Sequence, residues 1–393
     1  MRRVVGSNYA TAHAIMRARV EVVAAYPITP QTQMVEHIAK FINDGKMDCE
    51  YIKVESEHSA IAAVIAAQAA GVRCFTSTAS QGLALMHELL FSAGGLRLPI
   101  VMGVVNRSVG ATAGIWVEYN DSMPQRDCGW MQMYVETNQE VHDMILQAYR
   151  IAEDKRVLLP IMICSDGFIL SHTVEPVELA EQDEVDAFLP YYDAGHSFLD
   201  PASPIGSGIV TPREYRQEAA YQMHRAMGDA KNVIEKVNAD FASKFGRDHH
   251  GLIETEFMDD ADVAFLTLGT VTSTARGVVR ELREKDVKVG LVKVRAFRPY
   301  PAENIAKVCQ DVKAVGVFDR SVSFGASGPH YLEVRNALYG SDLPVIDFIG
   351  GLGGRDVTEA DVRSVYHVLL QTAQTGKAKR NVEWIHTRGV TLG

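Results

Sequence analysis

The amino-acid sequence predicts an α/β protein built on doubly wound parallel sheets, with helices on both faces of each. Three observations carry that expectation. Continuous β-branched runs, such as 98–105 and 157–164, alternate with helical periods, the pattern of strands buried on both faces. The alternation stops over 176–255 and resumes near 261, so a large sheet and a smaller one are expected. The chain has 393 residues, well beyond a single domain of about 150.

Taken in order, 21–25 (EVVAA) reads as a strand broken by Tyr26-Pro27-Ile28-Thr29-Pro30. A helix follows over 31–41, with Met34, Ile38 and Phe41 on one face. The strand 51–54 runs into Glu55-Ser56-Glu57-His58 and an Ala-rich helix. The strand 73–78 runs into Ser80-Gln81-Gly82 and a helix over 83–91. The strand 98–105 ends at Asn106-Arg107, and 157–164 ends at Ser165-Asp166-Gly167. Segment 175–186 is acidic, 190–212 is rich in Pro, Gly, Ser and Tyr, and 213–245 is a long polar helix. These form a connecting arm. Four strands are expected beyond it, at 263–268, 287–294, 314–318 and 345–348, with Phe297-Arg298-Pro299-Tyr300-Pro301 as a break. The basic tail with Trp384 is expected to pack on a surface. The partition is therefore 1–175, 176–255, 256–375 and 376–393.

Composition excludes several classes. There are 39 Lys+Arg against 49 Asp+Glu, a formal charge of −10, which disfavours nucleic acid as a partner. The cysteines at 49, 74, 128, 164 and 309 form no Cys-x-x-Cys, so no zinc or iron–sulfur site is expected on this chain. They read as reduced thiols of a cytoplasmic protein. Arg2 and Arg3 are followed by Gly6, Ser7 and Asn8 rather than an apolar run, and the apolar stretch 60–72 is too short for a bilayer span, so no membrane is expected. There is no P-loop and no Gly-x-Gly-x-x-Gly after a strand. His87-Glu88 lacks a second His, and Gly325-Ala326-Ser327-Gly328 is short of a nucleophile elbow. Gly350-Gly351-Leu352-Gly353-Gly354 reads as a structural turn.

Chemistry is then a matter of position. Ligands of open parallel sheets sit beyond the carboxyl ends of the strands. Thr29, Glu57, Ser80, Gln81, Asn106 and Arg107 all fall there. Arg107 suits a small carboxylate, and Glu57, flanked by apolar helix, suits proton exchange with a ring nitrogen. Each also has a structural reading. Glu57 at a helix start complements the dipole, Arg107 pairs with Glu118 or Asp121, and Thr29 satisfies a turn.

These residues resemble the α subunit of pyruvate:ferredoxin oxidoreductases, within the 2-oxoacid:ferredoxin oxidoreductase family. The resemblance is carried by Tyr26-Pro27-Ile28-Thr29-Pro30, Val54-Glu55-Ser56-Glu57-His58-Ser59-Ala60, Thr78-Ala79-Ser80-Gln81-Gly82-Leu83 and Asn106-Arg107. Further blocks are Ser122-Met123-Pro124-Gln125-Arg126-Asp127, Asp166-Gly167-Phe168 and Phe348-Ile349-Gly350-Gly351-Leu352-Gly353-Gly354-Arg355-Asp356. It implies a pyrimidine-type thiamine-diphosphate-binding domain and a transketolase-C-terminal-like domain. It implies oxidative, CoA-dependent decarboxylation of a 2-oxoacid, most simply pyruvate to acetyl-CoA and CO2, with electrons passed to ferredoxin.

The resemblance also implies roles. Glu57 would contact the aminopyrimidine and promote its imino tautomer, Arg107 would hold the substrate carboxylate, and Thr29 would bond the substrate oxygens. Ser80 and Gln81 would lie on the cofactor side and Ile115 on the substrate side. Ser165-Asp166-Gly167 lacks the first Gly of a Gly-Asp-Gly motif. Diphosphate and Mg2+ are therefore assigned to a partner β subunit, and CoA and [4Fe-4S] functions to γ- and δ-type partners. The 108–121 segment departs from the familiar pattern, with Gly110, Thr112 and Gly114, which leaves a branched-chain 2-oxoacid open beside pyruvate. A ferredoxin-independent thiamine enzyme and a non-catalytic assembly subunit are also compatible with these residues.

Overall fold

The computed structural model describes residues 1–195, 198–206 and 211–392, so part of the Pro/Gly-rich segment of the arm lies outside the described residues. The larger sheet has seven strands in the order Ala296–Arg298, Met131–Tyr134, Ile161–Asp166, Val101–Asn106, Cys74–Thr78, Val22–Ala24 and Glu50–Ile52. Six are mutually parallel, and Ala296–Arg298 adds to the edge antiparallel to Met131–Tyr134. The three strands Cys74–Thr78, Val101–Asn106 and Ile161–Asp166 are buried at every position, which is why they do not alternate with polar residues.

Successive residues of these strands feed two different cores. Phe75, Val101 and Ile163 join Ile15, Met34, Ile38 and Met144 from the helices Ser7–Arg17, Thr32–Asn43 and Asn138–Ala152. Cys74, Met102 and Met162 face Ala60, Val64, Leu83 and Met86 from Glu57–Ala69 and Ser80–Gly95. That second core continues into Leu266, Val292 and Val317 of the smaller sheet, so the two halves share one hydrophobic interior.

The smaller sheet has six strands rather than four, in the order Val382–Trp384, Val345–Ile349, Ala314–Asp319, Val263–Thr267, Val289–Val294 and Ile253–Glu256. Both additional strands are edges. Ile253–Glu256, expected within the arm, pairs antiparallel with Val289–Val294. The tail does not simply lie on a surface: Val382–Trp384 pairs with Asp347–Ile349 and buries Glu383. The expected break at Phe297-Arg298 is instead the strand that crosses to the larger sheet. Arg2–Val5 and Glu175–Glu178 form a separate two-stranded ribbon.

In the arm, Arg213–Phe245 is a single helix of 33 residues. It packs Ala226, Ala230, Val233, Ile234, Val237 and Phe241 on the first core, while 213–219 are exposed. The two sheets are also joined by buried ions. Lys293 reaches Glu136 and Glu140 at 2.9 Å each, Arg295 reaches Glu140 at 2.6 Å, and Arg276 reaches Glu136 at 3.0 Å and Glu254 at 2.8 Å. Charges this deep are tolerated only when paired.

Candidate functional site

In the larger sheet the chain starts at Val22–Ala24, adds Glu50–Ile52 on one side, then crosses to Cys74–Thr78 on the other. The switch in winding direction therefore lies between Val22–Ala24 and Cys74–Thr78. The crevice beyond their carboxyl ends is where such a sheet takes a ligand. Thr29 follows the first of these strands and Ser80 follows the second.

Ser80 is held in an unusual state. It is fully buried with φ of +52°, a backbone region costly for a residue with a side chain. Its N–H donates to Asp121 Oδ2 at 3.1 Å and its hydroxyl to the carbonyl of Ser108 at 2.6 Å. The same Asp121 oxygen accepts the backbone N–H of Arg107 at 2.9 Å, while Oδ1 accepts from Asn106 Nδ2 and the Ser122 N–H, each at 2.8 Å. Burial nevertheless pushes the Asp121 carboxyl up to about 6, against the lowering effect of these bonds. Asp121 thus ties the ends of Cys74–Thr78 and Val101–Asn106 together. The sequence suggests a side-chain pair between Arg107 and Asp121, but the bond is to the Arg107 backbone.

The Arg107 guanidinium is left for other work. Its Nη1 donates to the backbone carbonyl of Thr29 at 2.9 Å and its Nε reaches the carbonyl of Gly114 at 3.5 Å. Among the described residues no carboxylate pairs with it. The Thr29 side chain is exposed, as are Gln81 and Ile115, the last 41 % exposed on the loop that follows Arg107. Ser80 Oγ also lies against the Gln81 side-chain amide. Arg107, Thr29, Ser80 and the Ile115 loop are therefore brought together around one mouth.

Glu57 stands apart from them. It begins the helix Glu57–Ala69 behind the N-cap Ser56, whose hydroxyl accepts the Ser59 N–H. Glu57 is 7 % exposed and, among the described residues, its carboxylate has no hydrogen-bond or ion-pair partner. No hydrogen bond joins it to Arg107, Thr29 or Ser80. It is linked to them through the turn Ser80-Gln81-Gly82. A Cβ on Gly82 would sit 2.5 Å from Glu57 Oε1 and would overlap Thr78 Oγ1. Among the described residues Thr78 Oγ1 is itself buried without a partner. Glu57 and Thr78 thus both close on the bare Cα of Gly82 and leave no room for a side chain there.

The smaller sheet closes the back of the site. Asp166, the last residue of Ile161–Asp166, accepts from Tyr119 Oη at 2.7 Å, from the Thr270 N–H at 3.2 Å and hydroxyl, and from Arg320 Nη1 at 2.9 Å. Thr270 and Arg320 follow Val263–Thr267 and Ala314–Asp319, the two strands at the second sheet's own switch in direction. The glycine run seats the loop that follows Arg107. The Gly354 N–H donates to the Val117 carbonyl and the Gly353 N–H to Glu118 Oε2, each at 2.9 Å, and Trp116 lies against Gly354. Trp116 also packs on Phe168 with ring centroids 4.5 Å apart. A cleft of about 660 Å³, lined by Trp116, Phe168, Ser273, Arg320 and Gly354, runs between the sheets. Among the described residues no cluster of His, Cys, Asp or Glu could hold a metal ion, and no helix is long and apolar enough to cross a membrane.

Sequence reasoning misses the parts played by Thr78, Gly82 and Asp121. Gly82 carries a signal, because a Gly one turn into a helix behind Ser-Gln asks for close approach. Asp121 carries none, because two of its three backbone donors, Ser80 and Arg107, lie 41 and 14 residues away.

A parallel sheet with a buried carboxylate, unpartnered among the described residues, on one side of its switch point and an arginine on the other, backed by a second open sheet, defines an α/β protein of two packed sheets with a cleft between them. Residues 13–239 match the thiamine-diphosphate-binding domain of pyruvate flavodoxin/ferredoxin oxidoreductases, and 261–362 match the pyruvate:ferredoxin oxidoreductase core domain II. The chain belongs to the pyruvate:ferredoxin oxidoreductase family. It is 46% identical to the ketoisovalerate oxidoreductase subunit VorA of Pyrococcus abyssi, over 99% of this chain and 98% of that one. It is 45% identical to the pyruvate synthase subunit PorA of Methanothermobacter thermautotrophicus, over 98% of this chain and 97% of that one. Its fold is similar to a 2-oxoglutarate:ferredoxin oxidoreductase from Magnetococcus marinus, with a TM-score of 0.70 and 21% identity, covering 93% of this chain and 65% of the other. It is also similar to a split-gene transketolase, with a TM-score of 0.52 and 11% identity over 96% of this chain and 99% of the other.

Proposed function

We propose that this chain is a catalytic subunit of a 2-oxoacid:ferredoxin oxidoreductase that converts a 2-oxoacid and CoA to an acyl-CoA and CO2, passing two electrons to ferredoxin. Pyruvate is the leading substrate. The observation that carries the reading is the buried Glu57 carboxylate, which packs beside Gly82 and has no hydrogen-bond or ion-pair partner among the described residues. A carboxylate buried without a partner is costly unless a ligand completes it.

A buried carboxylate without a partner suits the aminopyrimidine of thiamine diphosphate, a cofactor that supplies the stabilised carbanion needed to cleave the bond next to the keto carbon. Glu57 holds or accepts a proton at a ring nitrogen. Gly82 lets the Glu57 carboxylate lie close against the turn, and Ser80 and Gln81 border the cofactor side. Arg107 holds the substrate carboxylate through its fork, and the Thr29 hydroxyl bonds the substrate oxygens. Ile115 bounds the substrate side chain. Diphosphate and Mg2+ belong to a partner β subunit, because Asp166 already accepts from Tyr119, Thr270 and Arg320. The CoA and [4Fe-4S] functions belong to γ- and δ-type partners, and the complex works in the cytoplasm.

A branched-chain 2-oxoacid is the second reading. It is favoured by the small exposed run Gly110 to Thr112 in the loop beside Arg107, which leaves space for a longer side chain. Acyl-CoA formation by the reconstituted complex, compared between pyruvate and 2-oxoisovalerate, decides between them. Preferred formation of isobutyryl-CoA installs the second reading, and no acyl-CoA from any 2-oxoacid overturns both.

A further inference from the structure

Two unsatisfied groups converge beside Gly82. The Thr78 hydroxyl is fully buried and has no acceptor among the described residues. The Glu57 carboxylate has no donor among them either, and its Oε1 lies 2.5 Å from the position a Gly82 Cβ would take, with Thr78 Oγ1 as near to it. Thr78 is also the last residue of its strand, at the switch point itself. Thr76, two residues back on the same face, carries a hydroxyl that is likewise buried and unpartnered, yet it does not reach the Gly82 point. An orphan donor and an orphan acceptor this close are each other's natural complement, and leaving both unmade is unfavourable.

We propose that Thr78 is a positioning residue for Glu57: when the aminopyrimidine enters, the carboxylate turns one oxygen to the ring nitrogen and takes the Thr78 O–H on the other. The proposal rests on the assignment of Glu57 above. The hydroxyl fixes the direction of the carboxylate, so it aims the other oxygen at the ring nitrogen. Gly82 is the residue that permits this, because any side chain there would fill the space where the two oxygens meet.

The test uses the assembled complex stripped of thiamine diphosphate, with Thr78→Val, Thr78→Ser and, as a control, Thr76→Val. Thiamine diphosphate binding is titrated by intrinsic fluorescence, and the thermal midpoint of the cofactor-free complex is recorded. Thr78→Val is expected to weaken binding about tenfold without lowering the cofactor-free midpoint. Thr78→Ser restores binding to near the parent, and Thr76→Val leaves binding unchanged. Parent-like binding in Thr78→Val overturns the proposal, as does an equal loss in Thr76→Val. If Glu57→Gln also binds like the parent, the assignment of Glu57 fails as well; if only Thr78→Val is silent, that assignment stands.

Discussion

Asp121 receives the backbone N–H of Arg107 at 2.9 Å on the same oxygen that holds Ser80 at 3.1 Å. One carboxylate thereby anchors both the backbone that carries the Arg107 guanidinium and the Ser80 turn with its positive φ. Asp121→Asn places an amide hydrogen against one of these backbone donors. The expected result is a rise of about tenfold or more in KM for the 2-oxoacid with a smaller change in kcat, and a loss of roughly 1–3 kcal/mol in urea unfolding. An unchanged KM would show that Arg107 is placed by the Thr29 carbonyl alone.

Much of this is visible in the sequence where the reason is local. The runs around Val101 and Ile161 announce buried parallel strands because no polar residue interrupts them, and the residues after each strand end have to face the crevice. What the sequence hides is what depends on distant pairing. Met131–Tyr134 has no β-branched residue, and it becomes a strand because Ile161–Asp166 pairs with it. Ala296–Arg298 is a short stretch running into Pro299, and only its partner Met133, more than 160 positions away, makes it a strand. The same holds at the site. Arg107 and Thr29 follow from strand ends, whereas Asp121 and the Asp166–Arg320 contact join segments that no spacing rule connects.

The glycine run of the second domain reads as a turn and acts as a seat. Gly354 has φ of +75°, and a Cβ there would collide with Trp116. Gly354→Ala should therefore lift Trp116 from its place, alter the Ile115 side of the mouth and cost about 1–2 kcal/mol in backbone strain. Trp116 is 49 % exposed while Trp130 is buried, so a change in tryptophan emission reports the displacement. The accompanying kinetic outcome is a changed preference between pyruvate and longer 2-oxoacids, at little change in thiamine diphosphate affinity.

A pH effect on stability follows from the second sheet. Burial pushes the Asp347 carboxyl up to about 7, and both burial and the neighbouring Asp347 raise Asp319 well above its ordinary range. A carboxyl that holds its proton more tightly folded than unfolded favours the folded state while protonated. Its contribution is full below the unfolded value of about 4 and is lost as pH rises towards 7. Asp347→Asn keeps an acceptor for the Gly328 N–H and removes the titration. The thermal midpoint of the variant should fall less between pH 5 and pH 8 than that of the parent. A parallel pair of curves would mean that Asp347 is ionised throughout.

The Asp166–Arg320 pair makes the sharpest demand on the interface between the two sheets. Asp166 is fully buried and Arg320 is 4 % exposed, and the aspartate comes from the first sheet while the arginine comes from the second. Removing one member leaves the other charge buried and uncompensated, a loss of about 3–5 kcal/mol. Arg320→Met should produce that loss in denaturant unfolding. Asp166→Asn in the same chain should recover part of it, because the amide oxygen still accepts from Tyr119 or Thr270 and no charge is stranded. If the double variant is as unstable as the sum of the two single variants, the pair is not coupled, and the domains are held by the shared hydrophobic core and the Lys293 network instead.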